Sequence, residues 1–364
     1  MNISQTPVIL ISGIDAEPMT ALTIALQWDL PDAVVVHHDV DIDAEILIRT
    51  VSDQRGLIQR REISLAHACV SCAIRGDVVP TLERLAAKGR WGAIIAQLPE
   101  TAEAAQVCRV IGYDPKAAPH VRIAAALVAM DGAAVPEDLL GDDLLVERGL
   151  PVRDDDERGV GETAASLVEY ADLVVAEGLT PEAQTLLQTL MRPGASVVDS
   201  PAAVDSTALL DGPHRHEDSE DWVQVIRREP LSGPHREGAW QLDLASERPF
   251  HPERLRQRIE DLGRGRRRSR GCFWLPTRPN QVCQWDGAGG MVSIGVADDW
   301  SEGDQLTRIV VVGTDTGREE LAHAFQDCLL TDQEIAERGR YWEVNIDGME
   351  PWLGPVPYLM ARGA

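Results

Sequence analysis

Two cysteines and a histidine in the first third of the chain have the types and spacing of metal ligands. Cys69 and Cys72 lie in the stretch HACVSC, and His67 precedes Cys69 by two residues. Zinc prefers thiolate and imidazole ligands and takes four of them in a closed site, so these three predict a weak or shared zinc site completed from elsewhere. A Cys-x-x-Cys pair also suits a redox dithiol, or two thiols that pack as small apolar groups, and the sequence leaves these alternatives open.

A dense run of arginines lies in the last third of the chain. The stretch GRGRRRSR holds five guanidinium groups within seven residues: Arg264, Arg266, Arg267, Arg268 and Arg270. Guanidinium groups bind phosphates in a bidentate manner and stack on bases, so the run predicts contact with RNA or with a ribosome, near Trp274. A solvated loop without a ligand is the alternative, and composition does not separate the two.

Residues 7–22, PVILISGIDAEPMTAL, have the outline of a phosphate-binding loop without its chemistry. An apolar run, a Ser-Gly turn and residues that favour a helix follow one another as strand, turn and helix do in such a loop. In a working loop, glycines let backbone N–H groups converge on phosphate oxygens, and a lysine neutralises their charge. Here Pro18 offers no N–H and Met19 carries no charge. Asp15 and Glu17 place carboxylates where a polyphosphate would lie, so the segment predicts that no nucleotide binds.

The composition is typical of a two-domain protein with an acidic first part. At 364 residues and 44% hydrophobic content the chain is long enough for two cores. No apolar stretch is long enough to cross a bilayer and the start lacks the basic residues of an export signal, so we expect a cytoplasmic protein with reduced cysteines and no membrane partner. The net charge of −25 is uneven: residues 1–212 carry 15 basic and 33 acidic side chains, and residues 239–364 carry 15 and 20. The less acidic second part is the better candidate to meet a polyanion.

Apolar runs alternate with helix-like segments through the first 212 residues. The runs lie at 7–12, 33–37, 92–98, 122–130, 172–176 and 195–199. Their spacing predicts an α/β fold with a parallel sheet, helices on both faces, and an antiparallel hairpin inserted between the second and third runs. Residues 213–238 mix proline, glycine, histidine and charge without a period and predict a linker in which His214 and His216 are solvated. Residues 239–364 predict a separate, smaller α+β domain.

Several stretches resemble signature sequences of the CobW family, whose members are P-loop GTPases that serve as metal chaperones. They are RPFHPERL at 248–255, GCFWLPTRPNQVCQWDGAGG at 271–290 and CLLTDQE at 328–334. In the first domain, HACVSCAIRGDVV stands where the family carries a Cys-x-Cys-Cys segment. Cys69 and Cys72 match its outer cysteines, and serine replaces the middle one. The resemblance implies a domain like that of P-loop NTPases over 1–212, a linker over 213–238, a CobW C-terminal domain over 239–364, and zinc as the metal.

The family's phosphate loop, Gly-x-x-Gly-x-Gly-Lys-Thr, aligns with the segment that starts at Gly13. Its first glycine matches Gly13 and its threonine matches Thr20. The other two glycines become Ala16 and Pro18, and the lysine becomes Met19. The resemblance therefore places a degenerate phosphate loop here, inside an otherwise retained fold.

Two further nucleotide motifs of the family are also missing. Its guanine-reading Asn-Lys-x-Asp aligns with EGLT, from Glu177 to Thr180, and none of its residues survives. The Glu-Thr-Thr-Gly-like stretch that helps to hold magnesium and the γ-phosphate reads QLPE, from Gln97 to Glu100. Because three separate parts of one site have changed, the sequence predicts a pseudo-GTPase that has no catalytic residues and binds no nucleotide.

Lost nucleotide motifs, a shortened cysteine segment and an arginine-rich second domain together resemble an actinobacterial branch of the CobW family. This resemblance implies a ribosome-associated adaptor that recruits a hibernation-promoting factor to the small ribosomal subunit under zinc limitation. The alternative is a GTP-dependent zinc metallochaperone of the CobW family with a divergent loop. A third hypothesis is a zinc sensor that does not contact the ribosome.

The remaining histidines and cysteines are weaker candidates. His37 and His38 follow the second strand and suit a metal ion by residue type alone. Four scattered cysteines are assigned to packing in the cores: Cys108, Cys272, Cys283 and Cys328.

Overall fold

The chain divides into two compact units. The computed structural model describes residues 5–64, 73–150, 152–153, 156–228, 238–301 and 303–357. The first unit holds Met1–Leu139 and Asp143–Val223, and the second holds Leu140–Asp142 and Gln224–Ala364. Among the described residues, no helix combines the length and the apolar character that crossing a membrane needs.

The first unit is built on a sheet whose central strands are parallel. Among the described residues it has eight strands, β1 to β8: Thr6–Ser12, Ala33–Asp41, Ile46–Asp53, Gly56–Ser64, Ala93–Gln97, Val121–Asp131, Leu173–Glu177 and Ser196–Val198. Their order across the sheet is β4-β3-β2-β5-β1-β6-β7-β8. Along this order, the neighbouring strands from β2 through β5, β1, β6 and β7 to β8 are parallel. At the other edge, β3 pairs antiparallel with both β2 and β4. The predicted parallel sheet and its inserted hairpin are confirmed.

Helices of the first unit cover both faces of this sheet. In chain order α1 to α8 are Ala16–Asp29, Val79–Ala86, Ala104–Tyr113, Val135–Leu140, Val160–Tyr170, Pro181–Leu190, Ser206–Leu210 and His216–Val223. Val8 and Leu10 of β1 pack in one apolar layer with α2 and α3, and Ile9 and Ile11 pack in the opposite layer with α1. Because successive side chains of a strand point to opposite faces, a strand buried on both sides reads as the continuous apolar run seen in the sequence.

The segment that the sequence assigns to a linker contains the helix α8. Its Trp222 is buried, and the indole Nε1 donates a hydrogen bond to the Leu190 carbonyl at 3.1 Å. The helix is short, and it is acidic in its first turn, so its buried positions do not produce a readable period in the sequence.

The second unit combines an antiparallel sheet with packed helices. Its strands among the described residues, β9 to β13, are Trp240–Ser246, Arg267–Phe273, Gln281–Ala288, Met291–Asp299 and Thr307–Gly313, in the order β12-β11-β10-β13-β9. Its helices α9 to α12 are Pro252–Gly263, Arg318–Cys328, Asp332–Arg338 and Glu350–Leu353. Leu255 of α9 and Phe325 of α10 pack with Phe273 and Trp285 of the sheet in one core. The predicted α+β domain is confirmed.

Candidate functional site

The turn between β1 and α1 is the place where a P-loop fold would hold phosphate, and its geometry depends on Gly13. A Cβ atom at Gly13 would lie 2.7 Å from the Ala129 carbonyl oxygen and 2.8 Å from Cγ of Met19, closer than real Cβ atoms approach. Glycine is therefore required here by the packing of the chain against itself. Its retention does not depend on a ligand.

The backbone donors at the start of α1 already have acceptors within the chain. The N–H of Ala16 donates to Oε1 of Glu100 at 3.1 Å, and the N–H of Glu17 donates to Oδ1 of Asp15 at 3.0 Å. Pro18 has no N–H to offer. These are the groups that a helix N-terminus normally presents to an anion, and here two carboxylates of the chain accept their hydrogen bonds.

Met19 stands where the family's phosphate loop has its lysine, and its side chain points into the core. It is fully buried and packs in the same apolar layer as Ile11 and Leu22. The thioether lies against Gly13, beneath the turn. This position therefore supplies packing to the core and no positive charge to the turn.

The segment from Gln97 to Glu100, at the end of the neighbouring strand β5, contacts both α1 and the turn that precedes it. The Thr23 hydroxyl donates to Oε1 of Gln97 at 2.8 Å, and the N–H of Thr101 donates to the Gly13 carbonyl at 2.9 Å. Burial, together with the nearby Asp39 and Asp15 carboxylates, raises the pKa of Glu100 although the N–H of Ala16 opposes the shift. The carboxylates of Asp39 and Asp15 therefore add negative charge around Glu100 at this turn.

The stretch aligned with the guanine-reading motif has structural roles of its own. Gly178 has a φ of 78°, and the N–H of Gly132 donates to the Glu177 carbonyl at 2.7 Å. Thr180 caps α6 by accepting a hydrogen bond from the N–H of Ala183 at 3.1 Å. Glu177 is exposed at the end of β7. No aspartate stands among these four residues to accept hydrogen bonds from a guanine base.

The predicted zinc ligands His67, Cys69 and Cys72 lie outside the described residues. His38 of β2, which residue type also suggested for a metal ion, is buried, and its Nε2 lies 3.0 Å from Oδ1 of Asp77, which also pairs with Arg49. Burial acts to raise the pKa of Asp77, but hydrogen bonds from His38 and Arg49 outweigh it and lower the pKa to about 2. Burial lowers the pKa of His38, so its neutral ring hydrogen-bonds to Asp77, and the ion pair of this cluster is that of Asp77 with Arg49.

The arginine run is divided between buried and exposed positions. Arg267 is 7% exposed and its Nε lies 2.8 Å from Oδ2 of Asp315, whereas Arg268 is 2% exposed and pairs with Asp286. Both lie on the strand β10, so the interpretation of the whole run as a solvated loop is wrong for these two residues. Arg270 is half-buried, and Arg264 and Arg266 are exposed. Trp274 is fully buried and offers no face for stacking.

A cluster that the sequence did not predict lies in the first unit. Sγ of Cys108 is 3.6 Å from Nε2 of His214, and the ligand-type atoms of Cys108, His214 and His216 all lie within 4.8 Å of one another. The expectation that His214 is solvated is wrong, because it is 7% exposed and its Nδ1 lies 3.0 Å from Asp172. Burial lowers the pKa of His214, but hydrogen bonds with Asp172 and Cys108 raise it to about 9. A separation of 106 residues between Cys108 and His214 leaves no local signal of this cluster in the sequence.

Two family models match the chain, one in each unit. The nucleotide-binding domain of CobW/HypB/UreG matches residues 24–180, and the C-terminal domain of the cobalamin synthesis protein cobW matches residues 240–329. Together they cover about two thirds of the chain. The chain belongs to the CobW family. The match to the CobW nucleotide-binding domain begins beyond the turn at residues 13–20.

Relatives of this CobW-family chain are similar over nearly their whole length. The zinc chaperone Rv0106 of Mycobacterium tuberculosis is 29% identical over 96% of this chain and 94% of its own. The zinc-regulated GTPase metalloprotein activator 1 of Dictyostelium discoideum is 20% identical over 94% of this chain and 84% of its own. Among solved structures, the Zn(II)-bound YjiA GTPase of E. coli is 14% identical, covers 90% of this chain and 100% of its own, and has a TM-score of 0.37.

Proposed function

We propose that this chain is a zinc-handling protein of the CobW family, acting as a metallochaperone that does not use a GTPase cycle at Gly13–Thr20. The zinc part of the proposal is supported by the names of two full-length relatives, a zinc chaperone and a zinc-regulated GTPase metalloprotein activator. It is also supported by the retained Cys69 and Cys72 with His67 beside them. Zinc is here the cargo.

The geometry of the α1 start carries the proposal that the GTPase cycle is absent. Asp15 and Glu100 accept hydrogen bonds from N–H groups that a nucleotide phosphate would need. A triphosphate entering this turn would displace those carboxylates and then face their charge, and two like charges at 4 Å repel by about 4 kcal/mol at an effective dielectric constant of 20. With Met19 in the core, the position of the family's lysine supplies no cation to offset this repulsion. The residues present therefore do not fit GTP and its magnesium ion.

A pair of titrations with the full chain tests both parts of the proposal. In the first, a fluorescent GTP analogue is added with magnesium, and we expect no saturable signal up to millimolar analogue. In the second, zinc is added against a chromogenic chelator, and we expect zinc to be withdrawn from the chelator. Micromolar, magnesium-dependent nucleotide binding would contradict the absence of a GTPase cycle, and failure to compete with the chelator would contradict the zinc role.

Recruitment of a hibernation-promoting factor to the small ribosomal subunit stays a prediction from the sequence resemblance. The structure sharpens its test, because Arg267 and Arg268 pair with carboxylates of their own unit whereas Arg264 is exposed over 73% of its side chain. Co-sedimentation with ribosomes from zinc-starved cells should therefore compare the unmodified chain with Arg264→Ala, which removes an exposed arginine of this run. Absence of the unmodified chain from the ribosomal fraction would remove the adaptor role.

A further inference from the structure

Three side chains with metal-ligand chemistry meet within the first unit, away from the turn at Gly13. Cys108 comes from α3, His214 from the segment before α8, and His216 is the first residue of α8. Their ligand-type atoms lie within 4.8 Å of one another. Neither the family matches nor the relatives assign these residues a role.

The distance between the sulfur and the first imidazole nitrogen is close to that of a tetrahedral ion. With Zn–S of about 2.3 Å and Zn–N of about 2.0 Å, the sulfur and nitrogen of a tetrahedral zinc site lie about 3.5 Å apart. Sγ of Cys108 and Nε2 of His214 are 3.6 Å apart. The ring of His216 lies against Gly112, where a Cβ atom would come within 3.3 Å of its Nε2. Because Gly112 follows Cys108 by four residues on one helix, this ring lies over the same face of α3.

The groups behind the ligands hold the rings in a ligating orientation. Nδ1 of His214 lies 3.0 Å from Oδ2 of Asp172, so Nε2 is the nitrogen directed at Cys108. The Asp172 carboxylate is itself fixed by Arg192 and by the N–H of Ala126 at 2.7 Å. The Tyr170 hydroxyl lies 2.7 Å from Nδ1 of His216. A carboxylate behind a histidine is the usual support of a zinc ligand, since it fixes the tautomer and raises the basicity of the ring.

The same thiol, imidazole and carboxylate order occurs in nucleophilic cysteine sites, and two observations favour a metal here. Cys108 is 4% exposed, so its sulfur is closed to a substrate carbonyl. A second imidazole, His216, lies within ligand distance, and a nucleophile has no use for it. One thiolate with two imidazoles is a donor set that favours zinc, and three protein ligands leave a fourth position open.

We infer that Cys108, His214 and His216 form a Zn(II) site with an open fourth position, oriented by Asp172 and Tyr170. Its three ligands do not include the cysteines at positions 69 and 72. It does not depend on the proposed chaperone role, since it stands on the geometry of its own side chains. His216 is only partly buried, so solvent reaches one member of the cluster.

Cobalt substitution in the full chain tests the site, because Co(II) bound to a thiolate gives an absorption band that reports the sulfur ligand. The test protein is the double variant Cys69→Ser/Cys72→Ser, which removes the other thiol pair. We expect it to bind one Co(II) per chain with a thiolate-to-cobalt band, and zinc should displace that cobalt. Adding Cys108→Ser should abolish the band. A double variant that binds no cobalt, or a band that survives Cys108→Ser, would overturn the inference.

A second variant covers the case in which Cys108→Ser does not fold. His216→Ala changes a half-exposed residue at a helix start, and we expect it to weaken zinc binding in the double-variant background at least about 10-fold. His323→Ala, an exposed histidine of α10, is the matched control and should leave zinc affinity unchanged. Equal affinities for the two variants would show that the cluster is a packed ion pair. Loss of zinc binding on removing Cys69 and Cys72, with no cobalt left at Cys108, would retain the chaperone proposal and remove this site.

Discussion

The turn at Gly13 and the cluster at Cys108 differ in what their polar groups already do. At the turn, the N–H groups of Ala16 and Glu17 donate to carboxylates of the same chain, and the side chain of Met19 is buried in the core. At the cluster, the outer nitrogen of His214 is held by Asp172 while its inner nitrogen faces a thiol 3.6 Å away. The turn has the fold of a ligand site, but its hydrogen-bond donors already have acceptors. The cluster has metal-ligand atoms that lie close together.

This contrast indicates that the position of a motif in a fold is a weaker guide to binding than the bonding state of its groups. A P-loop fold brings a helix N-terminus to the end of β1 in either case. Whether that terminus binds an anion depends on which acceptors are already within hydrogen-bond distance.

The largest effect is expected from returning a lysine to the phosphate loop. Met19→Lys places an ammonium group in a fully buried position without a partner, so the free energy of unfolding should fall by about 4 kcal/mol or more. Urea unfolding followed by circular dichroism measures the change. Met19→Leu is the matched control and should cost less than about 1.5 kcal/mol. A lysine variant as stable as wild type that also binds GTP would show that the turn still functions as a phosphate loop.

Arg268→Ala should have the next largest effect, although the residue belongs to a run that looks solvated. Its removal leaves Asp286 without its partner in a partly buried place, which should lower the free energy of unfolding by about 3 kcal/mol. Arg264→Ala is the control at an exposed position and should change stability by less than about 0.5 kcal/mol. Equal, small changes for the two variants would indicate that the Arg268–Asp286 ion pair contributes nothing to stability.

The lowered pKa of Asp77 predicts that the free energy of unfolding depends on pH. Its pKa is lowered to about 2 in the folded chain, so its stabilising contribution is complete above the unfolded value of 3.8 and is lost as the pH falls from about 4 to about 2. The shift corresponds to about 2 kcal/mol. Urea midpoints between pH 2 and pH 7 should therefore fall less steeply for Asp77→Asn than for wild type, from a lower value at pH 7. Parallel curves would show that the cluster with His38 and Arg49 does not titrate in this range.

The smallest effect concerns the cap of α1. Asp15→Ala removes the acceptor of the Glu17 N–H and should lower the free energy of unfolding by about 1 kcal/mol, whereas Asp15→Asn keeps an acceptor and should change it by a few tenths. Neither variant should gain affinity for GTP, because Pro18 and Met19 remain. Nucleotide binding by Asp15→Ala would mean that the aspartate alone had blocked the loop.

The sequence was sufficient for the parallel sheet but insufficient for the helix α8 and for the partners of polar side chains. The apolar runs at 7–12 and 122–130 report burial directly, and the structure places β1 and β6 there. The partners of Arg268 and Cys108 lie far along the chain, at Asp286 and His214, and only the fold brings them together. Local composition therefore suggested that Arg268 and His214 are solvated, whereas each pairs with a carboxylate distant in sequence.

The hydrogen bonds that Asp15 and Glu100 make at the start of α1 also affect how the fold responds to its surroundings. A domain that closes around a nucleotide is stabilised by mass action, by about 2.7 kcal/mol when the free nucleotide stands at 100 times its dissociation constant. Carboxylates attached to the chain that they cap are always present at the same effective concentration. If no nucleotide binds at this turn, as proposed, the stability of this helix start does not change with the nucleotide concentration.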